Sequence, residues 1–432
     1  MKNLWLPRPL VKAVALLIAS LFSISGVAAE SAPDATAVFE RYAGAAVKVR
    51  IVDRASDAKS VIGTGFFVDD KGYLVTNFHV ISAWVHDPKK YRVEYLDDDK
   101  NSHPLQVMNI DVVNDLAVAR VVESAVIDQH LSFAADETAQ GARIFSFGYP
   151  HDYGITIVEG TYNGLLEHAF YKKIHFTGSL NSGMSGGPAV NAAGEVVGIN
   201  VATSGNQVSF LVPVEYAHRL YDATVAEGYQ PPVPFVMLVE QQLKDHQQVY
   251  VADKLFRAGD TVEMGGYQVP TTPAHFFNCW GGSSDSDDGP SVRTDHQCST
   301  EDYLYISNQH VSGSAYIHHI FLESFDLNDY QFSHLYSNSF GHHPSRLWAD
   351  AEEVTQFRCQ SDGLAHNGLE FKTAFCLRRY RKMDGLYDAV FKLAMLGDAQ
   401  RGLTSELVLS GVTFETAVET SRRYLELFAW NQ

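Results

Sequence analysis

After residue 29 the sequence has no apolar run of the roughly 20 residues that a bilayer-spanning helix needs, so no such helix is expected there. Basic residues are scarce. Against 51 Asp and Glu stand 33 Lys and Arg, a net charge of −18, and so acidic a surface repels phosphate backbones and excludes nucleic acid as a partner. Cysteine is absent before Cys279, and the four that follow, Cys279, Cys298, Cys359 and Cys376, include no C-x-x-C pair, which argues against a zinc centre. Internal repeats and extended low-complexity tracts are missing as well. The nearest approach is the acidic stretch SSDSDDGP at 283–290, whose DSDDG lacks the spacing and closing Glu of a calcium loop and reads as solvated. No metal and no cofactor is expected.

What is present begins with a leader. Lys2, Arg8 and Lys12 precede the apolar run Ala13 to Ile24, and Val27-Ala28-Ala29 offers small residues for cleavage, so residues 1–29 read as a secretory signal peptide. No cysteine follows the cut to carry a lipid. Removing the leader deletes three basic residues and no acidic one, taking −18 to −21. The expected location is periplasmic or extracellular, an oxidising setting in which the cysteines should form disulfides. Of the three possible pairings the local ones are favoured, Cys279 with Cys298 and Cys359 with Cys376. Each closes a loop of roughly 20 residues, which in the chain-entropy account stabilises by about 3 kcal/mol.

The full chain is 46% hydrophobic and 12% aromatic, enough to build a core rather than stay disordered. From Ala46 to Val214 it runs as short β-rich segments punctuated by Gly, Asn and Asp, such as AVKVRIV, YLVTNFHVI and RIFSFGY, the pattern of an all-β barrel or sandwich. A helix is expected from Val214 to Gly228, and the proline-rich YQPPVPF then marks a boundary. We expect a first domain over 30–228, a β-rich, disulfide-containing domain over 235–380 that includes QQVYVADKLF as a strand, and a helical segment over 381–432. In that last segment DGLYDAVFKLAMLG and TFETAVETSRRYLELFAW carry apolar residues at helical spacing, with Thr413 as a cap.

Three stretches carry chemistry. LVTNFHV places His79 at the end of an apolar strand, NDLAVARV places Asp115 just before another, and GMSGGP places Ser185 among glycines. A serine hydroxyl attacks a carbonyl only if an imidazole takes its proton and a carboxylate fixes and charges that imidazole favourably. The oxygen that turns negative needs N–H donors already aimed at it. Glycine supplies the backbone freedom for such a loop, so the N–H groups of Gly183 and Ser185 are the candidate oxyanion donors. Asp111 competes with Asp115 but lacks the following LAVA strand. His86, His103, His151, His168 and His175 read as surface or loop residues.

With these residues in view, the sequence resembles a trypsin-like serine protease of the double-β-barrel fold. The stretches GTGFFV, GYLVTNFHVI, NDLAVARV, FGYP and NSGMSGGPAVNAAGEVVGIN are most similar to the bacterial HtrA/Deg branch, over roughly 36–220. The resemblance implies an all-β double β-barrel protease domain followed here by a mixed β/α C-terminal region without a recognisable PDZ domain. It also implies His79 as base, Asp115 as orienting acid and Ser185 as nucleophile in an exported serine endopeptidase acting on polypeptide substrates. By the same resemblance Ser179 lies at the base of the primary specificity pocket, and Asn200, Val201 and Ala202 form a wall that pairs with substrate. A small or medium uncharged residue before the cut is then preferred, since position 179 carries no carboxylate.

Met184 departs from digestive-type relatives, which carry an acid there to pair with a new N-terminus, so other contacts must order the oxyanion loop. The histidines of the C-terminal half, His310, His318, His319, His334, His342 and His343, read as scattered surface residues. His318 and His319, adjacent on a strand, point to opposite faces. The alternative to an enzyme is a binding or scaffolding protein on a protease fold, with the C-terminal region as its interaction module.

Overall fold

Val47, Val49 and Ile51 alternate along the strand Ala46–Asp53 (β1) and are buried, so one edge of the pleat points inward and the strand must curl around a core. The computed structural model describes residues 34–430 apart from 123–126, 168, 206, 253–254, 258, 273–275, 285–288 and 342–346. The leader expected over 1–29 and the positions of His168, His342 and His343 lie outside the described residues.

β1 closes a six-stranded barrel with Lys59–Phe67 (β2), Tyr73–Thr76 (β3), Tyr91–Leu96 (β4), Ser102–Asp111 (β5) and Leu116–Val121 (β6), in the order β1-β2-β3-β6-β5-β4. A second closed barrel follows, with Arg143–Gly148 (β7), Thr156–Leu165 (β8), Ile174–Phe176 (β9), Pro188–Val190 (β10), Val196–Gly205 (β11) and Val208–Pro213 (β12). Phe66, Val75 and Val118 of the first barrel share one buried cluster with Phe145, Phe147, Val190 and Ile199 of the second. This apolar seam fixes how the barrels face each other.

Helices flank the barrels. Ala35–Tyr42 (α1) is capped by Asp34, Phe78–His86 (α2) follows β3, and Val214–Val225 (α3) follows β12. YLVTNFHVI is therefore not one strand: β3 stops at Thr76 and His79 stands in the first turn of α2. QQVYVADKLF is not a strand either. Phe235–Gln247 (α4) runs into it, because Phe235, Val239 and Leu243 recur every four residues and bury one face in a cluster shared with the first barrel, while Gln247 accepts from Thr413 N at 2.6 Å. Gln242 secures that contact, accepting from Val112 N at 2.8 Å and donating to Ile110 O at 2.8 Å.

The C-terminal region adds a hairpin, Thr261–Met264 (β13) with Tyr267–Pro270 (β14), then Phe277–Ser283 (β15), Ser291–Thr300 (β16), Leu304–Ser307 (β17), His310–Ser312 (β18) and Ala315–Ser324 (β19). After Asp329–Ser339 (α5) come Arg358–His366 (β20), Leu369–Arg379 (β21), Tyr387–Leu396 (β22), Arg401–Val412 (β23), Phe414–Glu426 (α6) and Ala429–Trp430 (β24). One seven-stranded sheet, β15-β16-β19-β23-β22-β21-β20, spans most of this region. The expected boundary at 380/381 therefore falls inside a sheet, and DGLYDAVFKLAMLG forms strand β22 rather than a helix. Its apolar residues fill both faces, Ala389, Leu393 and Met395 packing with Phe371, and Val390 with Tyr316 and Val408. A strand buried on both faces loses its alternation and imitates a helical pattern. α6 forms where its periodicity predicts, with Thr413 accepting from Thr416 N at 3.2 Å.

Cys279 pairs with Cys298 and Cys359 with Cys376, each couple directly opposed across neighbouring strands. Among the described residues no helix is long and apolar enough to cross a membrane. Two histidines expected at the surface are instead fully buried. His319 donates to Pro270 O at 2.7 Å, His310 meets Tyr380 edge-on at 4.2 Å, and burial pushes both imidazoles down to about 3.

A buried network ties β18 to the large sheet. Asp388, with no exposure, accepts from Arg378 Nε at 2.7 Å and from Tyr380 Oη at 2.7 Å, and Tyr380 Oη lies 2.8 Å from Ser312 Oγ. Removing Arg378 leaves that carboxylate buried and uncompensated, so Arg378→Ala should lower unfolding free energy by roughly 3–5 kcal/mol in urea titration. Arg422→Ala, at an exposed pair, should leave the urea midpoint close to that of wild type. The lowered imidazoles set a pH window. A fold that holds His310 and His319 neutral has their full contribution above about pH 6.5 and loses it as pH falls toward 3. Melting temperature should accordingly drop between pH 6.5 and 4.

Candidate active site

Asp115 sits where the chain turns into β6, with φ of +54°, a left-handed conformation that Asp tolerates better than most residues. The turn brings both ends of Asp115 onto the first turn of α2. Its carbonyl accepts from Phe78 N at 3.2 Å and Asn77 Nδ2 at 2.8 Å, and its carboxylate from His79 N at 2.8 Å and His79 Nδ1 at 2.6 Å. Asn77 makes no side-chain cap of its own, so Asp115 caps α2 from another segment. Burial opposes charge on the imidazole, but the carboxylate outweighs it, and the His79 pKa stands above the usual 6.5. With Nδ1 engaged, Nε2 is the atom free to exchange a proton. Asp111 is occupied elsewhere, accepting from Asn114 N and Nδ2.

Ser185 lies in a loop held against the first barrel. Its carbonyl accepts from Thr64 N at 2.8 Å, and Gly186 beside it is so close to β2 and β3 that an added Cβ would stand 2.2 Å from Thr64 O and 2.3 Å from Thr76 Oγ1. Gly183 has φ of +97°, and a Cβ there would lie 2.4 Å from Tyr149 O. No side chain fits at either position. Among the described residues the N–H groups of Gly183 and Ser185 donate to no acceptor, whereas Met184 N, Gly186 N and Gly187 N all do. Ser185 is half-buried, and its Oγ makes no hydrogen bond to His79, a contact that often closes only around bound substrate.

Two residues whose bracing role the sequence did not signal hold this loop. Thr64 Oγ1 donates to Gly183 O at 2.7 Å and accepts from Tyr149 N at 3.1 Å. Asn200, expected on the pocket wall, is completely buried beneath the loop, donating through Nδ2 to Phe147 O and Met184 O and accepting from Ser146 Oγ. Its side chain braces the loop from below, and its backbone pairs with the loop's turn, the carbonyl accepting from Gly186 N and the N–H donating to Gly187 O. Met184, with no exposure, plugs the core of the second barrel. These contacts order the loop without an acidic residue at 184.

A cavity of about 700 Å³ opens beside the imidazole, lined by His79, Asp115, Val201 and Thr203 together with residues of the C-terminal region. Val201 lies at an irregularity in the β11–β12 register, between Asn200 and Ala202, where bulges commonly re-aim side chains near active sites. Ala202 continues β11 opposite Phe210. Ser179 is exposed and lies outside the lining of this cavity. Of the other histidines, His86 is half-buried with Nε2 donating to Ile306 O at 2.9 Å, His103 meets Asp97, and His151 is exposed. Replacing Thr64 by Val strands the Gly183 carbonyl and the Tyr149 N–H. Thr64→Val should therefore cost about 1–3 kcal/mol in urea unfolding, with Thr64→Ser close to wild type.

The sequence profile of the trypsin-like peptidase domain matches residues 63–199. A probable periplasmic serine endoprotease, DegP-like, of Chlamydia pneumoniae is 32% identical over 187 residues, covering 41% of this chain and 37% of that protein. Its counterpart in Rhizobium meliloti is 31% identical over 176 residues, covering 38% and 34%. Protease Do-like 5, chloroplastic, of Arabidopsis thaliana is 27% identical, covering 38% and 58%. The chain thus spans little more than a third of the length of the DegP-like relatives. The solved serine endoprotease of Yersinia pestis aligns at a TM-score of 0.38 with 24% identity, over 44% of this chain and 66% of that one. The two-barrel half of this chain, which contains the matched residues 63–199, is similar to trypsin-like peptidase domains of the HtrA/Deg branch.

Proposed function

We propose that the protein is an exported serine endopeptidase in which His79, Asp115 and Ser185 act as base, orienting acid and nucleophile. The observation that carries the reading is the Asp115 carboxylate bound to His79 Nδ1 at 2.6 Å beside a glycine loop whose two donors are unspent. Ser185 Oγ attacks the scissile carbonyl carbon while its proton passes to His79 Nε2, and the carbonyl electrons move onto an oxygen facing Gly183 N and Ser185 N. Collapse of that adduct breaks the C–N bond, the amine leaving with the proton from Nε2. Water then attacks the ester, gives its proton to Nε2, and the acid product departs as Ser185 Oγ recovers that proton. Export is supported by the leader and by relatives named as periplasmic. The substrates are extended polypeptides, which the strand around Val201 can receive.

A fluorophosphonate probe should label the folded protein on Ser185, with labelling lost in Ser185→Ala; no labelling of wild type from pH 6 to 9 would instead indicate a binding protein on a protease fold. The base must be neutral, so kcat/KM should rise with pH through one ionisation above 6.5. Asp115→Asn should move that rise to lower pH and cut kcat by a factor on the order of 10⁴.

A further inference from the structure

The cleft beside His79 is not built by the barrels alone. One of its walls is the segment Glu301–Tyr305, which belongs to the C-terminal region and lies more than 180 residues beyond Asp115 in sequence. Tyr305 meets the His79 ring edge-on, with centroids 5.7 Å apart and planes at 65°. Tyr303 also lines the cleft and is 58% exposed.

This wall is anchored to both barrels. Leu304 and Ile306 are buried in the same cluster as Val80, Ile81 and Val85 of α2, and the Ile306 carbonyl accepts from His86 Nε2 at 2.9 Å. On the other side Asp302 accepts from Lys173 Nζ at 2.6 Å and from Phe170 N at 3.1 Å, gripping the loop that precedes β9. Behind it, Ser312 joins the hairpin to Tyr380 and Asp388 of the large sheet. The segment is therefore a fixed rim and not a passing loop.

Resting on the peptidase reading above, we propose that Tyr303 and Tyr305 form the subsite that receives the side chain two residues before the scissile bond, and that it selects apolar side chains there. A peptide whose carbonyl reaches Ser185 and whose backbone follows Val201 to Thr203 advances about 3.3 Å per residue with alternate side chains on opposite faces. The side chain preceding the cut by two falls over the His79 imidazole, against the Tyr305 ring. Leu166, Val201 and Phe210 add apolar surface to the same cleft, and of its charged groups Asp115 is held by His79 and Lys173 pairs with Asp302, while Glu167, Lys172 and Glu301 also line it. Burial of a polar side chain there would strand its hydrogen-bonding groups, whereas an aliphatic or aromatic one displaces water from apolar surface.

The test uses the full chain and a peptide library varied at the second residue before the cut, with rates normalised to the fraction of protein labelled by the fluorophosphonate. Wild type should cleave peptides with Leu, Val or Phe at that place at least tenfold faster in kcat/KM than those with Ser, Asn or Asp. Tyr305→Ala should reduce that ratio tenfold or more and Tyr305→Phe should retain it, separating loss of the ring from loss of the hydroxyl. Tyr303→Ala, at an exposed position that leaves folding intact, should reduce the ratio several-fold. Cleavage that persists in Tyr305→Ala and Tyr303→Ala with the ratio unchanged overturns the subsite while leaving the peptidase intact. Absence of both labelling and cleavage in wild type overturns the peptidase reading and the subsite with it.

Discussion

Asp115 holds the first turn of α2 by four hydrogen bonds, two to its carbonyl and two to its carboxylate, and the geometry around the cleft depends on that hold. Its left-handed backbone is what allows carbonyl and carboxylate to reach one helix end together. Because His79 is the second residue of α2, the bond that fixes the imidazole and the bonds that start the helix are made by the same residue. Moving Asp115 would shift the ring and the helix axis at once. The left-handed strain it bears is of the kind that folded proteins retain where surrounding contacts over-determine the backbone.

From that helix the constraint extends in two directions. Toward its N-terminus, Asn77 and Thr76 form the surface against which Gly186 packs without room for a Cβ, so the Ser185 loop is referenced to the strand that leads into His79. Thr64 and Asn200 close the other side of the loop, one from each barrel. Toward its C-terminus, Val85 and His86 seat Leu304 and Ile306, so the Tyr305 wall is referenced to the same helix. The C-terminal half is in this sense part of the cleft, and its large sheet serves as the backing that keeps the wall in place.

Legibility in the sequence followed the range of the interactions. His79, Asp115 and Ser185 stood out because each lies in a short stretch whose chemistry and local backbone demands coincide, and most of the barrel strands, though not β5, announced themselves through turn residues and short apolar runs. Asn200 was visible as a residue but not as a brace, since its partners Ser146, Phe147 and Met184 come from other segments. β22 misled because a two-sided core erases the period that distinguishes strand from helix. His310 and His319 looked like surface residues because nothing local to them signals that Tyr380 or Pro270 will cover them.

The least legible feature was the participation of Tyr305, and the reason is physical rather than statistical. A side chain at a hairpin start has no local pattern that distinguishes packing on its own domain from packing on a distant imidazole. What decides it is the docking of α4 and the β17–β18 hairpin on the first barrel, made by apolar contacts from Phe235, Val239, Leu243, Leu304 and Ile306. Each such side chain contributes on the order of 1.5–3 kcal/mol when buried. Detaching the C-terminal half would expose all five together. A truncated double barrel would thus lose one cleft wall and gain an apolar face on α2, the helix that carries His79. The imidazole would then be positioned by Asp115 and by the packing of α2 on the first barrel, without the C-terminal contacts at Val85 and His86.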